Sequence, residues 1–181
     1  MIEENYPHWK QELKSSQNKE GKFLSNRWIQ MATISKSNEP RLRTVVFREW
    51  IKDDSMIIFT DRRSEKVKDI DINNNVEILW ILSKTKSQFR FKGNAYVIHD
   101  DNKYWNNLSE QSRSLWFWPT PGKEFNNLNF ENIQIEKEKP INFMVFEIAI
   151  HTVELLKLER PFHKRYLWEK RKNWVRSRLN P

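Results

Sequence analysis

Three groups of residues in this chain have types and spacings that suit a planar, phosphorylated small molecule. Arg41, Arg43 and Arg48 interrupt an otherwise apolar strand-like run, RLRTVVFREW (41–50). Side chains alternate across a strand, so Arg41 and Arg43 share one face and Arg48 takes the other. Phe59, Thr60, Ser64 and Lys66 follow where SMIIFT (55–60) gives way to the helical period of DRRSEKVKDIDINN. Hydroxyls, a lysine and unpaired backbone N–H groups at a helix start make a natural phosphate site. Gln88 and Arg90 open a further strand on a common face. A primary amide both donates and accepts hydrogen bonds, which suits the polar edge of a heterocycle. The ingredients are a phosphate anchor, an apolar strand bed and an amide for ring recognition.

Other chemistries lack their parts. The glycines are Gly21, Gly93 and Gly122, too few and too scattered for a dinucleotide fingerprint or a P-loop. His8, His99, His151 and His163 lie far apart without metal-ligand spacing, so no metal is expected. No serine stands in a nucleophile elbow. Without cysteine there is no disulfide framework and no thiolate. The start, MIEENYPHWK, is polar and acidic, unlike a secretory signal, and no apolar run approaches the length of a membrane span. A cytoplasmic chain is the expectation.

The net charge of +8 is concentrated at the end of the chain. Lys157 to Arg178 holds nine basic residues against Glu159 and Glu169. Such an end suits nucleic acid, an acidic partner or a phosphorylated small molecule, against the plainer reading of a solvated surface.

The elements that must position these residues follow from periodicity. A length of 181 residues suits one domain, 1–181, and 9 Trp and 11 Phe compensate in the core for a mean hydropathy of −0.86. Trp9 and Leu13 predict an amphipathic helix from Tyr6 to Lys19, closed by Gly21. Strands are predicted at 27–34 and 41–50, paired as a hairpin, then at 55–60, 76–82 and 88–99. Val67, Ile70 and Ile72 mark a short helix between two of them. Residues 101–117 read as helical, with Trp105, Leu108, Leu115 and Trp116 inward. A long loop, 118–141, precedes strands at 141–150 and 152–158 and two short strands around Tyr166 and Trp174. The pattern predicts a mainly β (α+β) fold, an antiparallel barrel with short flanking helices.

RLRTVVFREW, MIIFTDRRSEKVKDI and QFRFKG resemble successive motifs of the pyridoxamine 5′-phosphate oxidase family, and HKRYLWEKRKNWVRSRLNP is similar to its closing segment. FWPTPGK and KTKSQFRF are similar to its Alr4036-type branch. The resemblance implies a split β-barrel that binds FMN at a homodimer interface. It also implies hydride transfer from a small substrate to flavin N5, the best-known members oxidising pyridoxine or pyridoxamine phosphate. Carried onto this chain, it implies FMN contacts from Arg43, Thr44, Val45, Val46, Phe59, Thr60, Ser64 and Lys66. Arg48 stands where the family has a lysine near both flavin and substrate. Gln88 matches a glutamine facing the isoalloxazine, and Arg165 a late arginine, a candidate for the ring's N1–C2 carbonyl. Tyr104, Ser112 and His163 match substrate positions, with Arg48. No catalytic residue is assigned.

Departures separate flavin from substrate. Glu65 replaces an arginine beside Lys66, Leu108 replaces an arginine between Tyr104 and Ser112 with Arg113 as a substitute, and Arg160–Pro161 breaks an arginine–leucine–histidine run. Trp116, Trp118 and Pro119 cover a ring or pack a core or dimer. Two rival readings stay open: an FMN-binding module or reductase without pyridoxine or pyridoxamine phosphate oxidase activity, and a nucleic-acid-binding β-barrel.

Overall fold

The computed structural model describes residues 8–52, 54–126, 133 and 135–181. Strands β1 (Trp28–Ile34), β2 (Pro40–Ile51), β3 (Ser55–Asp61), β4 (Asn75–Leu82), β5 (Ser87–Ile98) and β6 (Phe143–Lys157) form one antiparallel sheet in the order β3-β2-β1-β4-β5-β6. Pairing of β3 with β6, from Ser55↔Ala149 to Asp61↔Phe143, closes it into a barrel. Strands β7 (Lys164–Glu169) and β8 (Ser177–Leu179) extend the sheet beyond β6. The mainly β, split-barrel expectation holds.

Alternation supplies the core. Ile29 and Met31 of β1, Val76, Ile78, Trp80 and Leu82 of β4, and Phe89 and Phe91 of β5 all point inward and are buried. Helix α1 (His8–Glu20) stoppers one end with Trp9, whose ring lies 5.4 Å from Trp50 and 5.8 Å from Phe91. Gly21 ends it at φ +88, and Glu20 accepts from the Lys84 amide at 2.7 Å, fixing the helix to the β4–β5 turn. Tyr6, where the sequence period starts, lies outside the described residues.

Helix α2 (Glu65–Ile72) lies at another edge, against β1. It buries Val67 and Ile70, but Ile72, expected inward, is 60% exposed. The helical stretch after β5 is not one helix. It breaks into α3 (Asn102–Asn106), α4 (Glu110–Ser114) and a 3-10 turn, because the Ser109 hydroxyl caps α4 by accepting from the Ser112 amide at 3.3 Å. Trp105 is buried there, Leu108 and Trp116 pack on a second core with Ile57, Phe143 and Val145, and Leu115 is half exposed.

Where two strands were expected, at 141–150 and 152–158, the structure has one, β6. Met144, Phe146, Ile148 and Ile150 face inward, then Val153 and Leu155 do, so the alternation slips by one. Opposite the slip Lys92 pairs with Thr152 and Gly93 with Ile150, leaving His151 as the extra residue of a bulge. Tyr166 lies in β7 as expected, but Trp174 occupies the turn before β8 at φ 57.

At that bulge, a Cβ on Gly93 would lie 2.4 Å from the Ala149 carbonyl oxygen. Gly93→Ala is expected to destabilise the fold by roughly 1–3 kcal/mol, read by urea denaturation, since backbone rather than a flexible side chain must give way.

Candidate functional site

Two neighbouring sites are built from opposite faces of β3. Thr60 points into the barrel end and Phe59 to the outside, as consecutive strand residues must.

On the inner side, Lys66 reaches back from the first turn of α2. Its Nζ donates to Thr60 Oγ1 at 3.0 Å and Ser64 Oγ at 2.9 Å. Ser64, at the helix cap position, donates to the Asp61 carbonyl at 2.7 Å. Among the described residues no carboxylate lies within ion-pairing distance of Lys66. Burial, then the neighbouring Arg43, pull the ammonium below the usual lysine range, against a smaller opposing pull from Asp61.

Arg43 closes the other wall. Its Nη1 donates to Thr33 Oγ1 at 2.6 Å and the Met31 carbonyl at 3.2 Å, while Nη2 lies 3.5 Å from Asp69 Oδ2. Asp69, almost fully buried, also accepts from Thr33 at 2.7 Å and Arg41 at 3.3 Å. Asp69 and Thr33 were not singled out from the sequence. The available signal was a carboxylate at an inward position of the α2 period. Glu65 turns to solvent and pairs with Arg41 and Lys68, so the acidic replacement leaves Lys66's own contacts neutral.

On the outer side, β2 and β3 slip register between Phe47↔Ile58 and Glu49↔Ile57, making Arg48 the extra residue of a bulge. Its guanidinium sits 4.7 Å from the centroid of Phe59, and its Nε is buried without a hydrogen-bond partner. Burial, then repulsion from Arg27, lower its pKa. The Tyr104 ring is 5.6 Å from Phe59, and its hydroxyl is also buried without a partner. The structure therefore gathers Arg48, Phe59 and Tyr104, and gathers Thr60, Ser64, Lys66 and Arg43. Thr44 and Val46 lie on the outer face of β2, while the Val45 side chain is in the core, leaving only its backbone for a ligand.

The remaining predicted residues are elsewhere. Gln88 and Arg165 both pair with Leu156 of β6 and so share one outer-face row. Thr60 pairs with Met144. Along β6 these rows are twelve residues apart, a contour of roughly 40 Å at ~3.3 Å per residue. Arg165 is already committed to Glu154, through Nε at 2.8 Å and Nη2 at 2.5 Å. His163 is exposed in the β6–β7 connection, and Ser112 accepts from the Ser109 hydroxyl at 3.0 Å.

The segment after α4 is pinned beside Arg48. Arg63 bridges Asp61 at 2.7 Å and the Trp118 carbonyl at 2.9 Å, and Asn142 donates to the Trp116 carbonyl at 2.7 Å. Trp116 packs edge-on against Phe143 at 4.9 Å and so belongs to the second core, while Trp118 and Pro119 line a cavity. Part of the 118–141 loop, 127–132 and 134, lies outside the described residues.

The basic chain end is partly paired. Six of its nine basic residues, Lys157, Lys164, Arg165, Lys170, Arg171 and Lys172, pair with carboxylates. No helix among the described residues is long and apolar enough to cross a membrane.

Lys66 yields a pH prediction. With its native pKa depressed, the folded state binds fewer protons than the unfolded state between the folded value and 10.5. The charged, half-buried Lys66 thus lowers ligand-free stability at neutral pH, a cost relieved as pH rises through that window. Lys66→Met is expected to raise ligand-free stability at neutral pH, with the difference from wild type shrinking towards pH 10.5, measured by denaturant titration.

Comparison with known proteins agrees with this geometry. A family model described as "Pyridoxamine 5'-phosphate oxidase, FMN-binding domain" matches residues 6–99. The chain is 33% identical over 130 residues to a pyridoxine/pyridoxamine 5′-phosphate oxidase 2 of Arabidopsis thaliana, covering 66% of each protein. It is 24% identical over 180 residues to a pyridoxine/pyridoxamine 5′-phosphate oxidase of Leptospira biflexa, covering 92% of this chain and 84% of that one. A crystal structure of a pyridoxamine 5′-phosphate oxidase-related, FMN binding protein from Nostoc punctiforme superimposes with a TM-score of 0.83 at 26% identity, over 96% of this chain and 97% of that one. These matches carry the family as a whole, not a particular branch of it. A half-buried, carboxylate-free ammonium among hydroxyls at a helix start fits the phosphate of FMN, and the chain belongs to the FMN-binding pyridoxamine 5′-phosphate oxidase family.

Proposed function

We propose that the protein is an FMN-dependent oxidoreductase acting as a homodimer, each flavin site being shared between two copies. The carrying observation is Lys66, a half-buried cation held only by neutral hydroxyls. In this reading Arg43, Thr60, Ser64 and Lys66 hold the phosphate, while Thr44 and Val46, on the outer face of β2, and the Val45 backbone lie along the rest of the flavin. Phe59 and Arg48 lie towards the ring and substrate. Bound FMN supplies the two-electron redox chemistry, and the protein supplies binding, orientation and electrostatics.

Distance supports a second copy. One chain does not bring Gln88 and Arg165 to Lys66, so a neighbour's Gln88 and Arg165 meet the flavin, and its His163 the substrate. The outer sheet face supports such pairing: Trp28, Leu42 and Ile81 are all exposed on β1, β2 and β4. Arg165, tied to Glu154, there offers a fixed rather than a mobile charge to the ring's N1–C2 carbonyl.

A second reading, flavin binding without oxidation of pyridoxine or pyridoxamine phosphate, is favoured by Leu108. It packs into the second core where the resemblance places a phosphate-binding arginine, and Arg113 instead donates to the Trp105 and Asn106 carbonyls. An aliphatic side chain cannot replace a charge-assisted contact.

Purified protein is expected to be yellow and to release FMN on heating; colourless protein that takes up no added FMN defeats the proposal. Lys66→Ala should weaken FMN by roughly 10- to 100-fold while leaving riboflavin, which lacks the phosphate, unchanged in fluorescence titrations. Mixing Lys66→Ala and Arg165→Ala chains should restore one intact site per mixed dimer. Failure to restore any site places all the flavin contacts within one copy. Turnover of pyridoxine or pyridoxamine phosphate at ordinary enzymatic rates rules out the second reading.

A further inference from the structure

We propose that the cavity beside Arg48 receives a planar organic monocarboxylate, gripped by the Arg48 guanidinium. Its role as substrate rests on the flavoenzyme reading above; its chemical class rests on the cavity itself.

The cavity encloses about 550 Å³, a size typical of small-molecule sites. Leu115, Trp116, Trp118, Pro119, Pro121 and Phe125 give it broad apolar walls. Aromatic rings and prolines of this kind favour the face of a flat ring system.

Its charges single out Arg48. Asp61 lines the cavity, but Arg63 at 2.7 Å and Asn142 at 3.2 Å already take its carboxylate. Lys123 and Glu124 stand next to one another on the lining segment, and their charges cancel. Arg48 has no carboxylate within ion-pairing distance among the described residues, and its buried Nε has no hydrogen-bond acceptor. A buried donor left unpaired is costly, and an acceptor from a ligand removes that cost.

The bulge makes this arrangement. As the extra residue between Phe47 and Glu49, Arg48 escapes the regular register, and its guanidinium lies over Phe59. Contact with the ring restrains the guanidinium, whose planar fork suits a carboxylate. A phosphomonoester carries nearly two charges and calls for more than one cation. Beyond the Asp61–Arg63 pair and the adjacent Lys123 and Glu124, the lining offers Arg48 as its cation. One planar cation in an aromatic box matches one planar anion on a flat body.

Isothermal titration of the FMN-loaded protein with naphthoate, naphthamide and pyridoxine 5′-phosphate tests the class. Naphthoate is expected to bind at least tenfold more tightly than naphthamide, and more tightly than the phosphate ester. Arg48→Gln should bring naphthoate down to the level of naphthamide. Equal binding of acid and amide by the wild-type protein, or tightest binding of the phosphate ester, overturns the proposal without any variant. The same titration on flavin-free protein separates the two readings. Preference for the acid by a protein that takes up no FMN upholds the cavity's class and overturns the flavoenzyme. A yellow protein indifferent to the carboxylate overturns this inference alone.

Discussion

The ladder between β3 and β6 is the contact on which the rest depends. It closes the barrel and fixes which way each residue of β3 points. Because side chains alternate, Phe59 and Thr60 are sent to opposite sides of one strand. Thr60 enters the barrel end to meet Ser64 and Lys66, while Phe59 supports Arg48 and touches Tyr104. A cation cradle and an aromatic cavity therefore share a single wall. Slipping that register by one residue would exchange the two and leave Lys66 without the Thr60 hydroxyl.

Two bulges adapt this frame, with different consequences. At Arg48 the extra residue re-aims a functional side chain. At His151 it reverses the alternation within a long strand, and the backbones approach so closely that Gly93 is required opposite. The same device thus serves a site in one place and shape in the other.

Charge is handled by contrast. Most cations of the chain end are matched by nearby carboxylates, and Asp69 gathers Arg41 and Arg43 in the interior. Lys66 and Arg48 stand apart, each partly buried and each without an acidic partner among the described residues. Buried unpaired cations cost stability unless an anion arrives. Their positions, on opposite faces of β3, are where an anionic cofactor and an anionic substrate are expected to bind. Asp69 has the complementary task of holding Arg43 in place while moderating its charge.

Local pattern was enough for most of the fold. Runs of strand-forming residues bounded by turns located β1 to β5, and the spacing of Trp9 and Leu13 located α1. Lys66, Ser64 and Thr60 were legible as an anchor because strand end, helix cap and lysine lie within seven residues of one another. Sequence periodicity failed where its phase changed without a change of element, as at His151, and where a cap split one apparent helix into α3 and α4. Tertiary structure alone decided that Asp69 and Thr33 carry Arg43, that Arg48 is re-aimed by a bulge, and that Gln88 and Arg165 stand far from Lys66 in the same chain. Those facts depend on which strands pair and in which register, and long-range pairing leaves no local period to read.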